Sequence, residues 1–343
     1  MGEGDRSAVA GGWGFNMSMA LLAGWAADQA LGDPRRGHPV AGFGWLAGRL
    51  ERALWRDDRR AGAVYAGLLV GGPAAAVWAV QRRLGPRLWA ALLMLVTWVA
   101  LGSRSLGREA AGVADAIARG DLDEAKSRLP ALCGRDPSGL DAGELCRAAV
   151  ESVAENTADA VIGPLLWGRV AGPAGVVAHR CANTLDAMVG HRCPRYTRFG
   201  WAPARLDDLA NWAPARVAAL LAAGCAPLAG GSPGRAVWIL RRDGAAHPSP
   251  NAGRCEAAFA GALGVRLGGA NRYGDRAEIR GPFGDGAAPT PEDIYRAIRL
   301  SHAAGLAAVV LPPFLRMRRK GGRDWLATSR GTHLSSGSGG KVQ

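Results

Sequence analysis

Three carboxylates stand four residues apart at Glu151, Glu155 and Asp159, and an apolar run begins directly behind them. Residues i and i+4 share a helix face, so this spacing predicts one acidic stripe. Like charges so placed destabilise a helix by ~0.2–0.5 kcal/mol per pair. An arginine partner or a divalent cation would offset that, and Mg2+ in particular takes one or two carboxylates together with substrate phosphates. An ordinary solvated acidic face is the alternative. Asn156 and Thr157 add polar groups where the apolar run starts, and polar clusters at membrane depth tend to be functional.

A second group lies between His179 and Trp212. Asn183 and Asp186 are spaced i, i+3; Asp207, Asp208 and Asn211 repeat the pairing of acid with amide. Arg192, Arg195, Arg198 and Arg205 fall between or beside them. A guanidinium fork matches phosphate or carboxylate geometry, although acids beside arginines can equally be structural ion pairs. Further along, HPSPNAG (247–253) has two prolines that disfavour a helix before Asn251. Asn251 can cap the helix that follows. That helix start is either a plain cap or a phosphate seat. LGGANRYG (267–274) presents Asn271, Arg272 and Tyr273 on a glycine-rich turn, and GDPRRGHPV (32–40) offers Asp33 and His38 on a proline-fixed loop. Either could be a mere turn. The chain has no GxxxxGK[ST], GxGxxG or HExxH, so the usual phosphate-loop, dinucleotide and zinc-protease signatures are missing. GFGWLAG (42–48) reads as helix packing.

These groups must be positioned by helices. Of the 343 residues, 48% are hydrophobic and the mean hydropathy is 0.00, which suits membrane segments alternating with sizeable polar loops. The candidate apolar segments are 7–27, 61–80, 88–103, 161–178, 217–234 and 300–315. Segments 61–80 and 88–103 form a hairpin with a short basic connection. Segment 161–178 contains Arg169, Gly163, Pro164, Gly172 and Pro173; it and 217–234 read as re-entrant or protein-buried helices, which is where irregular backbone is tolerated at membrane depth. With no repeats and little strand patterning, the fold class is mainly α: a polytopic integral membrane protein whose large polar helical loops form the active site. Residues 1–320 read as one membrane-embedded catalytic domain and 321–343 as a disordered tail.

The net charge is +13, carried almost wholly by arginine, since lysine appears only at Lys126, Lys320 and Lys341. No RNA-binding aromatic signature or zinc-finger spacing accompanies that charge, which argues against nucleic acid. The six cysteines form no CxxC pair and read as buried residues of a reducing compartment. The start, MGEGDR, lacks the basic region of a cleaved secretory signal.

Taken in series, GDP..GHPV (32–40), ESVAENTADAVIGPLLW (151–167), NTLDAMVGHR (183–192), Y..FGWAPARLDDLANWAPAR (196–216), HPSPNAG (247–253) and LGG.N.Y (267–273) resemble the CobD/CbiB family of membrane-bound adenosylcobinamide-phosphate synthases. The motifs keep the family's order over nearly the whole chain. The departures are Ala158-Asp159-Ala160, where serine-aspartate-glycine is usual, Ala187 for serine, His191 for tyrosine and Asp275 for glycine. The resemblance implies an acid–amine ligase of cobalamin biosynthesis. Such an enzyme joins adenosylcobyric acid, through a corrinoid propionate, to aminopropanol or its phosphate. ATP and Mg2+ are the implied cofactors, and cobalt enters only within the corrinoid. The implied catalytic residues are Glu151, Glu155, Asp186, Asp207 and Asp208, with Glu151, Glu155 and Asp159 on the metal. The implied binding residues are Asn156, Thr157, Arg180, Asn183, Thr184, Arg192, Arg205, His247, Ser249, Asn251, Asn271, Arg272 and Tyr273. A multi-pass place in the cell membrane follows, with the active site on the cytoplasmic side and other late cobalamin-pathway membrane enzymes as possible associates. A permease for an organic anion, or a non-catalytic scaffold of the late corrinoid pathway, is the competing reading; neither needs ATP turnover.

Overall fold

Capping residues and prolines set most helix boundaries in this chain. The computed structural model describes residues 3–33, 37–191, 193–273 and 276–310. Helix α1 (Glu3–Leu31) ends where the Arg104 guanidinium donates to the carbonyls of Gln29, at 2.7 Å, and Ala30. Helix α2 (Pro39–Leu54) starts at a proline, with the Val40 N–H donating to His38 Nδ1 at 3.1 Å. Asp58 caps α3 (Arg59–Ala66), which passes through a π-helical turn, Gly67–Gly71, into α4 (Gly72–Gln81). Then come α5 (Pro86–Ala100), α6 (Ser103–Ala118) and α7 (Leu122–Arg128). A capping box between Asp141 and Glu144 opens α8 (Ala142–Asn156). A second π-helical turn, Thr157–Ile162, joins α8 to α9 (Gly163–Leu185), and a third, Asp186–Gly190, follows α9. Four more helices complete this part: α10 (Trp201–Ala210), α11 (Trp212–Cys225), α12 (Pro233–Asp243) and α13 (Ala252–Leu263). An antiparallel hairpin, β1 (Leu267–Tyr273) with β2 (Arg276–Phe283), precedes α14 (Pro291–Val310).

The hairpin corrects the sequence reading, which placed Asn271, Arg272 and Tyr273 on a turn. All three lie on β1. Gly268 and Gly269 adopt φ of 82° and 99° at an irregularity in the register. That irregularity interrupts the alternation by which a strand is recognised.

Four helical stretches among the described residues are long and apolar enough to cross a membrane: Arg59–Gln81, Pro86–Ala118, Ala142–Gly190 and Trp212–Ala229. The chain is thus a mainly α, polytopic membrane protein. Segment 7–27 falls within α1. Segment 300–315 falls within α14 as far as Val310, and its remainder lies outside the described residues, as does the 321–343 tail. Helix α14 buries Ile294, Ala297, Leu300 and Ala304 in the core. The anticipated hairpin of 61–80 and 88–103 exists as two helices joined by residues 82–85, but α4 and α5 each pack on α9 rather than chiefly on one another.

The Ala142–Gly190 stretch is mostly enclosed by protein. Helix α9 is broken at Gly172 (φ 66°, ψ −152°), just before Pro173. A Cβ at Gly172 would lie 2.9 Å from the Trp89 ring, so both the backbone and the space require glycine. Gln81 serves the interrupted backbone: its Oε1 accepts from Ala174 N at 3.1 Å and its Nε2 donates to Ala171 O at 3.5 Å. Arg169, inside the same run, donates Nη2 to the carbonyls of Ala308 (3.2 Å) and Val309 (2.5 Å) at the end of α14. Those orphan carbonyls and the negative end of the helix dipole offset its charge.

One large core joins α6, α8, α11, α13, α14 and the hairpin, and it is strongly alanine-rich, for example at Ala114, Ala149, Ala218, Ala222, Ala257 and Ala297. Small side chains let helix backbones approach closely. This close approach brings α8, α9, α10 and α11 together around the acid-amide motifs.

Candidate active site

The carboxylates of the opening stretch do not share one centre. Glu151, 2% exposed, pairs through Oε2 with Arg135 Nη2 at 2.5 Å. Its Oε1 accepts from Gly268 N at 2.7 Å and lies 3.5 Å from Arg147 Nη1. Arg147 in turn donates to the carbonyl of Gly268 at 2.5 Å and to that of Ala270 at 3.1 Å. Of the two partners the spacing required, Glu151 has arginine. It ties α8 to the loop at Arg135 and to the hairpin.

Glu155 and Asp159 lie within electrostatic reach of each other, of Asp186 and of Asp207, which Asp208 adjoins; Glu155 also reaches Glu256 on the side of Glu151. The π-helical turn at 157–162 changes the phase of the helix just where Asp159 leaves the stripe. Asn183 Nδ2 bridges Asp159 Oδ2 and Asp207 Oδ1, each at 3.3 Å. Asn211 Nδ2 donates to Asp207 Oδ1 at 2.9 Å, as the i, i+4 spacing anticipated. Since that amide nitrogen faces a carboxylate, Asn211 Oδ1 is free to accept, and His179 Nε2 lies 2.8 Å from it. His179 therefore carries its proton on Nε2, and its buried Nδ1 has no hydrogen-bond partner among the described residues. Glycines make room for this assembly. A Cβ at Gly163 would overlap the His179 ring, and one at Gly190 would overlap Asp186 Oδ1.

Burial raises the Asp207 carboxyl to about 6; the two amide hydrogen bonds oppose this and the charges of Asp208 and Glu155 add to it. Five carboxylates thus crowd together. Arg205 lies 3.3 Å from Asp208 and is exposed. Arg180 contributes charge near Asp159 and Asp33, and its buried Nε has no hydrogen-bond partner among the described residues. Hard oxygen donors framed by amides are a donor set that fits Mg2+. Among the described residues, no three His, Cys, Asp or Glu side chains already converge at metal-ligating spacing.

The other anticipated residues divide. Asn156 Nδ2 bonds back to Ser152 O at 3.0 Å, and Thr184 Oγ1 to Arg180 O at 2.8 Å. Thr157 is fully buried and donates Oγ1 to Val153 O or to Ser301 Oγ, both at 2.7 Å. Arg192 lies outside the described residues. Asn251 begins α13, as anticipated, but does not cap it. Ser249 Oγ does so instead, accepting from Asn251 N and Ala252 N at 3.2 Å each. His247 Nδ1 holds that loop by accepting from Ser249 N at 2.8 Å, and its Nε2 lies 3.8 Å from Glu256. Asn251 Nδ2 reaches Asp208 O at 2.8 Å, so HPSPNAG adjoins the carboxylates through an amide.

Sequence reasoning omits His179 and Arg135 from the site and its supports, and uses Asn211 only as a spacing. The visible signal for His179 is its place one turn before Asn183 on the same helix face. Nothing local marks Arg135, which lies 16 residues from its partner.

A family model described as CobD/Cbib protein matches residues 21–301. The cobalamin biosynthesis protein CobD of Mycobacterium tuberculosis (strain CDC 1551 / Oshkosh) is 51% identical over 304 residues, covering 88% of this chain and 97% of that protein. The protein of the same name from Geobacter metallireducens is 45% identical over 293 residues, covering 83% and 92%. That from Rhodobacter capsulatus is 40% identical over 311 residues, covering 86% and 97%. No solved structure matches. A match over this much of the chain, with the motif residues gathered on facing helices, means that the chain belongs to the CobD/CbiB family.

Proposed function

We propose that this chain works in cobalamin biosynthesis as an ATP-dependent acid–amine ligase. It would join a propionate of adenosylcobyric acid to aminopropanol or aminopropanol phosphate. The observation that carries this reading is the gathering of five carboxylates, Glu155, Asp159, Asp186, Asp207 and Asp208, with Asp159 and Asp207 held by the amides of Asn183 and Asn211. A carboxylate is a poor electrophile. Transfer of the γ-phosphoryl group of ATP to the propionate oxygen releases ADP and leaves an acyl phosphate. Attack by the amine nitrogen on the acyl carbon then expels phosphate, and the nitrogen gives up a proton. Mg2+, when bound, neutralises charge on the phosphates as the phosphoryl group moves.

Glu155, Asp159, Asp186 and Asp207 are the residues that would hold the metal. Asp208, with one carboxylate oxygen near Arg205 at the exposed edge, is placed to take the amine proton. Arg180 and Arg205 would hold phosphate oxygens, since guanidinium forks match that geometry. Asn183 and the pair His179–Asn211 fix the direction of Asp207. The cytoplasmic face, where ATP is available, is the proposed side of the site.

The test is ADP release by detergent-purified protein given ATP, Mg2+, adenosylcobyric acid and aminopropanol phosphate, omitting each in turn, with mass analysis of the corrinoid. ADP release that needs both organic substrates, with a corrinoid heavier by the condensed amine, is the expected result. An unchanged corrinoid from folded protein would overturn the reading in favour of transport or scaffolding.

A further inference from the structure

On the far side of Asn251 from the carboxylates, α11, α12 and α13 open a cleft of about 200 Å³, walled by Ala219, Leu220 and Leu240 and edged by Arg216, Arg241 and Arg254. Among the described residues, no carboxylate lines it. Arg216 donates Nη1 to Trp212 O at 2.7 Å and to Asn251 Oδ1 at 3.4 Å. The Arg254 Nε is buried with no hydrogen-bond partner among the described residues, and Arg241 is exposed. Neighbouring arginines are compensated quite differently: Arg242 is clasped by Asp243 at 2.6 Å and Asp285 at 2.8 Å. Three guanidinium groups gathered with no carboxylate among the described lining residues favour an anion.

The walls point to the kind of anion. Leu220 is 61% exposed and belongs to Trp212–Ala229, a stretch long and apolar enough to span a membrane. Trp212 begins that stretch and carries the Arg216 guanidinium 4.1 Å above its ring; Trp238, beside the cleft on α12, carries Arg242 at 4.3 Å. Exposed tryptophan with arginine at the end of an apolar helix marks the headgroup level of a bilayer. The cleft therefore has cations at headgroup depth and an apolar wall along the helix running into the acyl region.

We propose that this cleft seats the phosphate of an anionic phospholipid, with an acyl chain lying along Leu220 and α11. A free phosphate offers the same oxygens to the arginines but no partner for the apolar wall. This inference depends on the membrane placement of α11 and not on the ligase reading, and lipid retention is measured without turnover.

The experiment is native mass spectrometry of the detergent-purified full chain with equal amounts of phosphatidylglycerol and phosphatidylcholine. Phosphatidylglycerol should be retained in preference. Each arginine near a headgroup is worth about five-fold in binding, so Arg241→Ala should weaken retention about five-fold and the double change with Arg254→Ala about 25-fold. Arg241 is exposed and makes no hydrogen bond or ion pair among the described residues, so Arg241→Ala alone keeps the test valid if the double variant fails to fold. Equal retention of the two lipids, or undiminished retention in folded Arg241→Ala, overturns the proposal. Displacement of the lipid by millimolar inorganic phosphate also overturns it, assigning the cleft to a water-soluble phosphate compound.

Discussion

Two buried acidic clusters lie within one helix of each other and are handled in opposite ways. At the hairpin end of α8, Glu151 and Glu256 face Arg135, Arg147 and Arg280; Arg280 Nη1 lies 3.2 Å from Glu256 and the His247 ring lies 3.8 Å from it. Burial, with the Glu151 charge adding to it, still holds the Glu256 carboxyl well above the usual range, against the pull of Arg280. One turn further along α8 the arginines give way to amides. Asp159 and Asp207 share Asn183, and no guanidinium among the described residues bonds to Asp207. The first cluster is built on arginine ion pairs, whereas in the second Asp159 and Asp207 are, among the described residues, hydrogen-bonded by amides. Acidity alone thus does not separate structural carboxylates from those that receive a cation; the identity of their neighbours does.

The comparison is broken most severely at Glu151. Removing one member of a buried ion pair leaves the other charge uncompensated, which destabilises by about 3–5 kcal/mol. Glu151→Gln should therefore lower the thermal midpoint in detergent strongly, and any loss of turnover should track loss of folded protein. A variant of normal thermal stability but no turnover would place Glu151 with the reacting groups. At the second cluster, Asp207→Asn should do the converse. Turnover should fall on the order of 10²–10³, the size expected when one preorganised electrostatic contributor is lost. The thermal midpoint should hold or rise, because a carboxyl whose charge is disfavoured has gone. Wild-type turnover in Asp207→Asn would remove that residue from the proposed chemistry.

The same contrast explains what can be read without the structure. The apolar helices over 61–80, 88–103 and 161–178, the Asp207–Asn211 pair and the helix start at Asn251 follow from periodicity and local chemistry. The division of Glu151 from Glu155 and Asp159 is not legible in sequence. It depends on Arg135, brought in from a distant loop, and on a π-helical turn whose extra residue no spacing rule registers. The β1–β2 hairpin stays hidden because two consecutive glycines with positive φ interrupt its alternation. His179 does not stand out because its partner, Asn211, lies 32 residues away on another helix.

A smaller effect sharpens the comparison through pH. Asp207 has its carboxyl raised from 3.8 to about 6, so the folded chain holds this proton more tightly than the unfolded chain does. The stabilisation that results is complete below about pH 4 and is lost as pH rises through about 6. A divalent cation would restore it only where the carboxylate is ionised. Added Mg2+ should therefore raise the thermal midpoint clearly at about pH 8 and little at about pH 5, and the difference should shrink in Asp207→Asn. Glu151→Gln, by contrast, should retain the Mg2+ response despite its lower starting stability. A Mg2+ response independent of pH would detach the cation from Asp207.

The smallest expected effect concerns the loop shared by both clusters. Ser249 Oγ accepts two backbone N–H groups at the start of α13, while His247 on one side leans on Glu256 and Asn251 on the other reaches Asp208 O. Ser249→Ala removes a cap worth about 1 kcal/mol. If the loop only closes a helix, the thermal midpoint should drop slightly and KM values should not move. If it also registers the arginine-paired cluster against the amide-framed one, the freed Asn251 should shift Asp208, and KM for the amine should rise while KM for ATP stays fixed. We expect the second pattern, because the Asn251 amide joins this loop directly to the α10 backbone at Asp208, the residue placed to take the amine proton. Equal changes in both KM values, or none, would reduce Ser249 to a helix cap.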